Sequence, residues 1–195
     1  MNKEFYYRER KRLTKLYNTG FFGEAKNGGR WTIIDKKGNK TGVAENLDFI
    51  LRPEDSKANL FASLRQKAMD YFEKYHISWW RQEEDGYFPT GHLVSSQIHC
   101  LNHLFAFRNK PKALKLILCE ATQLPIAKVL KSPIDEDGYI AFEFVYNNMS
   151  LMCDNSGKYH ENYETRGTKC TSIDALVYAQ LEDKRKILIP IEWKY

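Results

Sequence analysis

The chain has no paired cysteine motif. Its four cysteines stand apart at positions 100, 119, 153 and 170, and none forms the CxxC spacing of a zinc ribbon. HExxH, Walker A and GxGxxG motifs are all missing, so nothing supports a zincin, a P-loop site or dinucleotide binding. No run of about 18 apolar residues occurs, so no membrane-spanning helix is expected. The N-terminus lacks the apolar core of a signal peptide. With scattered cysteines, the simple expectation is a reduced, cytoplasmic protein. Internal repeats and coiled-coil heptads are also missing.

What is present points to a packed domain. At 195 residues and 43% apolar composition, the chain can bury a real core as one domain with an appended segment. Twelve tyrosines and 11 phenylalanines argue against disorder. A net charge of +5 permits nucleic-acid binding without demonstrating it. Arg8, Arg10, Lys11, Arg12 and Lys15 crowd the N-terminus, and Lys110, Lys112, Lys115, Lys128 and Lys131 recur in the middle. Each run also reads as an ordinary solvated helix face. We divide the chain into a basic N-terminal segment, 1–54, and a core, 55–195.

Along the chain, Glu4 to Tyr17 reads as a basic helix. Arg30 to Ile34 reads as a short strand, with a turn over Asp35 to Asn39. Leu60, Leu64, Ala68, Tyr71, Phe72 and Tyr75 recur at helical spacing and predict one amphipathic helix from about Asp55. Ser95 or Ser96 caps a second helix with the stripe Ile98, Leu101, Leu104 and Phe105. Pro111 opens a third, to about Thr122. Tyr139 to Tyr146 alternates as a strand, with Ala141, Glu143 and Val145 on its less apolar face. Asn147 to Cys170 reads as a long polar loop, a length often functional. Helices precede strands, so the fold class expected is α/β or α+β, a mixed sheet flanked by helices.

The last two apolar runs are Thr171-Ser-Ile-Asp-Ala-Leu-Val-Tyr-Ala179 and Ile187-Leu-Ile-Pro-Ile-Glu-Trp-Lys-Tyr195. Residues two apart on a strand share a face, so Glu192 and Lys194 point one way. A hairpin turning about Asp183 sets Asp174 opposite Glu192. Facing carboxylates repel unless a cation lies between them. Pro190 sits awkwardly in this run, because proline cannot donate to a ladder.

Ser172-Ile-Asp174 followed by Ile191-Glu-Trp-Lys194 resembles the D…(D/E)-X-K signature of the PD-(D/E)XK nuclease superfamily. Together with Gly91-His-Leu-Val-Ser-Ser-Gln-Ile-His-Cys-Leu-Asn102 and Phe142-Glu-Phe-Val-Tyr146, the chain from about His76 resembles a bacterial restriction-endonuclease-like group of that superfamily. The resemblance implies a central sheet flanked by helices and a metal-dependent DNA endonuclease serving restriction, defence or repair. It implies Asp174 and Glu192 as ligands of Mg2+, with Mn2+ able to substitute, and Lys194 beside the attacking water. Glu143 is the candidate additional carboxylate ligand, and Gln97 the candidate helix residue near the site. Double-stranded DNA is the expected partner. Enzymes of this kind are often dimers, which leaves a homodimer open. The superfamily core normally continues with a further helix and strand after the ExK strand, so a C-terminally incomplete core is expected. That departure raises an alternative: an inactive nuclease-fold protein that binds DNA or a protein partner.

Blander readings stand beside these. Asp174 fits a solvated turn residue, Glu192 and Lys194 an ordinary ion-pair face, and Glu143 a solvent-facing strand position. His99 and His103 have i,i+4 zinc spacing but no identified third ligand. Cys100 has no apparent base to activate it as a nucleophile. Trp79 and Trp80 are expected to close the core, although with Arg81 they could stack on bases.

Overall fold

A computed structural model describes residues 3–35, 40–80, 88–145, 166 and 172–194. Among these residues, four α-helices and six strands are defined. They are α1 (Lys3–Tyr17), β1 (Asn27–Ile34), β2 (Lys40–Leu51), α2 (Arg65–Lys74), α3 (Ser96–Leu104), α4 (Pro111–Thr122), β3 (Ile126–Leu130), β4 (Ile140–Phe144), β5 (Ile173–Leu181) and β6 (Lys186–Ile191). The long loop expected over 147–170 lies outside the described residues except at Arg166.

The main sheet is built on β5. Leu130 pairs with Tyr178, and Ile140 pairs with the next residue, Val177. β3 and β4 therefore lie end to end on one edge of β5, and β6 takes the other edge. The sheet is in effect three strands wide. Residues 131–139 leave and rejoin it as a tight excursion, closed by Ser132 N–H donating to Gly138 O at 2.9 Å. Every described strand pair is antiparallel; the parallel contact between Ile77 and Arg166 is an isolated bridge. The expected mixed sheet is replaced, among the described residues, by antiparallel ones. Pro190 pairs with Leu176 on an edge strand, where a missing N–H is tolerated.

One face of this sheet, including Phe142, Ala175, Val177 and Ile189, meets α2, α3 and α4 in the principal core. α3 begins where the sequence places it: Ser95 Oγ accepts from Ile98 N at 3.4 Å. α4 starts on Pro111 and ends at Gln123, whose φ is 57°. The single helix expected from Asp55 is instead broken. A 3-10 helix, Pro53–Asn59, gives way to extended Leu60 before α2. The cause is local competition. Asn102 Oδ1 accepts from Phe61 N, and Asn102 Nδ2 donates to Asn59 O, both at 2.9 Å, so these backbone groups are engaged outside a helix.

β1 and β2 form a separate hairpin, packed on α1 through a smaller core containing Leu13, Ala25 and Leu51. The hairpin joins the approach to α3. Leu51 N donates to Gly91 O at 2.9 Å and Leu93 N to Phe49 O at 3.0 Å. A Cβ on Gly91 would stand 2.5 Å from Leu51 O, so the two backbones meet only because residue 91 has no side chain.

Candidate active site

The β5–β6 turn fixes the site's register. Asp183 accepts from Arg185 N at 3.0 Å, and Lys184 takes the left-handed conformation. The ladder runs from Gln180–Lys186 to Ala175–Ile191. The pairs follow the symmetry about Asp183 expected from the sequence, but they stop one residue short of Asp174 and Glu192. β6 itself ends at Ile191, so Glu192 and Lys194 lie just past the strand rather than on it. Trp193 N donates to Asp174 Oδ2 at 2.6 Å, tying this tail back to β5. The Trp193 ring packs on His103 of α3 with centroids 4.8 Å apart. Lys194 Nζ donates to Glu192 Oε2 at 3.0 Å.

β4 brings the third carboxylate. Glu143 lies between the paired rungs Phe142–Ala175 and Phe144–Ile173, level with Asp174. β4 and β5 thus carry Glu143 and Asp174 at one level, and Glu192, just past β6, is near enough for its charge to act on Asp174. Glu143 is not the solvent-facing residue that strand alternation allows: it is 6% exposed, and its φ is 51°. A left-handed non-glycine residue interrupts the strand's alternation and costs on the order of 1 kcal/mol. The Ser172 hydroxyl donates to Glu143 Oε2 at 2.6 Å. Gln97, from the buried face of α3, hydrogen-bonds the same carboxylate. Its carboxamide also accepts from Trp80 N at 2.8 Å and donates to Ser78 O at 3.2 Å.

The electrostatics follow from this crowding. Burial, aided by the Asp174 charge, pushes Glu143 up to about 7, against hydrogen bonds from Ser172 and Gln97 and the Arg166 charge. Burial also raises Asp174; Glu192 adds to that rise, while the Trp193 N–H and Lys194 oppose it. Cys100 feels all three carboxylates on top of its own burial, and its thiol is held strongly protonated. A protonated thiol is a poor nucleophile and a poor metal ligand.

Several partners were invisible in the sequence. Arg166 spans Asp135 bidentately, with Nη1–Oδ1 at 2.9 Å and Nη2–Oδ2 at 3.2 Å. It also donates to Glu143 O at 3.1 Å and to Phe142 O. The Tyr71 hydroxyl donates to Asp135 and accepts from Phe142 N at 2.9 Å. This network locks the backbone under Glu143. Nothing in local spacing links positions 71, 135 and 166.

Other candidates separate. His99 Nε2 meets Leu93 O at 2.9 Å and His103 Nδ1 meets His99 O at 2.7 Å, so both rings are engaged with backbone. Among the described residues, no three His, Cys, Asp or Glu side chains are grouped as a ready metal cage. Trp79 closes the core as expected, 1% exposed and stacked on Phe72 at 3.9 Å. Trp80 does not; it turns toward Trp31 and His92.

A family model described as restriction endonuclease associating with ARP matches residues 25–195. The chain belongs to that family. The match begins well before His76, where the motif resemblance starts, and includes the β1–β2 hairpin. No curated protein and no solved structure matches. Membership supports a restriction-endonuclease-like protein with a nuclease-like or defence role and a connection to DNA. The described helices include none long and apolar enough to cross a membrane.

Proposed function

We propose that the chain is a metal-dependent DNA endonuclease of the PD-(D/E)XK type, acting in restriction, defence or repair. The observation that supports this reading is the β4–β5 register, which brings Glu143 level with Asp174, together with the charges of Glu192 and Lys194, just past the end of β6, acting on Asp174. Three carboxylates are hard oxygen donors, the chemistry Mg2+ or Mn2+ prefers. Burial is the main cause that raises Glu143 and Asp174, and the neighbouring carboxylate charges add to it, so a divalent cation would relieve the repulsion between them. Asp174, Glu192 and Glu143 would hold it, and the cation would supply an activated water and neutralise charge on the transferring phosphate.

The chain's own groups have separate tasks. Lys194 places a positive charge where the phosphate's negative charge develops. Gln97 and Ser172 orient the Glu143 carboxylate. The Trp193 N–H orients Asp174. Replacing Asp174 by Ala is expected to abolish plasmid cleavage while leaving DNA binding nearly unchanged. Full cleavage by Asp174→Ala would remove the proposal.

A second reading has a specific observation behind it. As placed, one Asp174 oxygen is taken by Trp193 N–H and Glu192 is engaged by Lys194, without a closed cage among the described residues. That favours a nuclease-fold protein that binds DNA, or a protein partner, without cutting. The association with ARP in the family's description is compatible with such a partner. Retained DNA binding with no cleavage in any divalent metal would select this reading.

A further inference from the structure

Glu192 and Lys194 lie beyond the strand that leads to them. The last described pair of the β5–β6 ladder is Ala175–Ile191, and β6 ends there. Trp193 stands between the two charged residues. It is half-buried and packs against the principal core, while Glu192 and Lys194 on either side are exposed. Its backbone N–H donates to Asp174 Oδ2 at 2.6 Å. One residue thus seats the tail on the core through its ring and on β5 through its backbone, and leaves both charged neighbours facing solvent.

The ring is met by α3. His103, near the C-terminal end of that helix, lies against Trp193 with centroids 4.8 Å apart and planes tilted by 30°. His103 is itself held, because its Nδ1 meets His99 O at 2.7 Å. A carbonyl only accepts, so Nδ1 carries the proton in that bond. The His99 ring lies nearly parallel to His103, at 16° and 6.2 Å, and its Nε2 meets Leu93 O at 2.9 Å. The i,i+4 spacing that resembles a zinc pair in the sequence here lines two rings up toward Trp193. A line of contacts runs from Leu93 through His99 and His103 to Trp193 and Asp174. One stacked pair of rings is worth about a tenfold change in an equilibrium.

We propose that His103 is a positioning residue of the candidate active site: by clamping the Trp193 ring, it holds the Glu192–Lys194 tail and the Trp193 N–H against Asp174. The purpose of the clamp rests on the nuclease reading, in which Lys194 stands beside the phosphate; its first test does not. The full chain is compared with His103→Ala, which removes the ring, and His103→Phe, which keeps a flat ring without nitrogens. His103 is exposed on its helix, so neither change enters the core. In EDTA, hydrogen exchange of the Trp193 backbone amide is followed by NMR. The Val177 amide, paired on both sides within β5, is the control. His103→Ala is expected to speed Trp193 exchange about tenfold and leave Val177 unchanged, and His103→Phe to stay within about twofold of wild type. Unchanged Trp193 exchange in His103→Ala overturns the clamp. An equal rise at Val177 also overturns it, as general loosening. So does exchange in His103→Phe as fast as in His103→Ala, which would assign the effect to a ring nitrogen. Plasmid nicking with Mg2+ is the second readout. His103→Ala is expected to lower kcat about tenfold with KM little changed, and His103→Phe to restore it. A full rate in His103→Ala overturns the proposal. Wild type that does not nick removes the nuclease reading, and the exchange measurement then decides the clamp by itself.

Discussion

Glu143 combines burial, a left-handed backbone and a carboxyl held near neutrality. Its titration makes stability depend on pH in a definite direction. Between its ordinary value of 4.5 and about 7, the folded chain keeps a proton on Glu143 that the unfolded chain releases. Glu143's contribution is therefore full below the ordinary value, falls across this window, and is lost above about 7. Glutamine keeps the shape and cannot ionise. In EDTA, Glu143→Gln is expected to be more stable than wild type above pH 7 by about 3 kcal/mol, with the gap closing in acid. Thermal unfolding across pH checks this, and a gap independent of pH would contradict it. Asp174 and Glu192 differ from Glu143 in being more open to solvent.

At the scale of elements, the excursion between β3 and β4 is held by the Asp135–Arg166 pair. Asp135 is fully buried and is the carboxylate that pairs with Arg166, whose other hydrogen bonds go to the neutral Glu143 and Phe142 carbonyls and the Tyr71 hydroxyl. Asp135→Ala should cost about 3–5 kcal/mol in urea unfolding, because it strands a buried cation beside Glu143. A loss under about 1 kcal/mol would mean that the pair contributes little. The elements also show where sequence carries structural information. The β5–β6 register was legible because a period-two pattern and a polar turn about Asp183 leave one pairing that buries Ala175, Val177 and Ile189 together. α3 and α4 were legible because Ser95 and Pro111 act locally. β2 was not, since its largely exposed residues show no apolar alternation. β3 was missed because five residues after a helix carry too little pattern. The overlong first helix had the right period, but a side chain some 40 residues away took its backbone groups. The burial of Glu143 was equally hidden, because its cover comes from Gln97 and Arg166, distant in sequence.

For the whole molecule, the basic helix, the hairpin and the nuclease-like sheet meet along residues 91–97. The smaller core seats α1 against β2, and the Gly91–Leu51 hydrogen bond fastens that unit to α3. A net charge of +5 is modest, so phosphate binding depends on where the cations sit rather than on their number. DNA affinity is expected to fall steeply with salt. Lys11→Ala with Lys15→Ala is expected to flatten that dependence by about one unit of log–log slope for each phosphate no longer neutralised. An unchanged slope would place the DNA path elsewhere.

We propose above that the carboxylates and Lys194 cut DNA with a divalent metal. The most direct measurement is nicking of supercoiled plasmid with Mg2+ or Mn2+, with EDTA and Lys194→Ala as controls. Metal-dependent nicking is expected that EDTA stops and Lys194→Ala abolishes while DNA binding persists. Nicking that survives Lys194→Ala, or none by wild type with either metal, would contradict it.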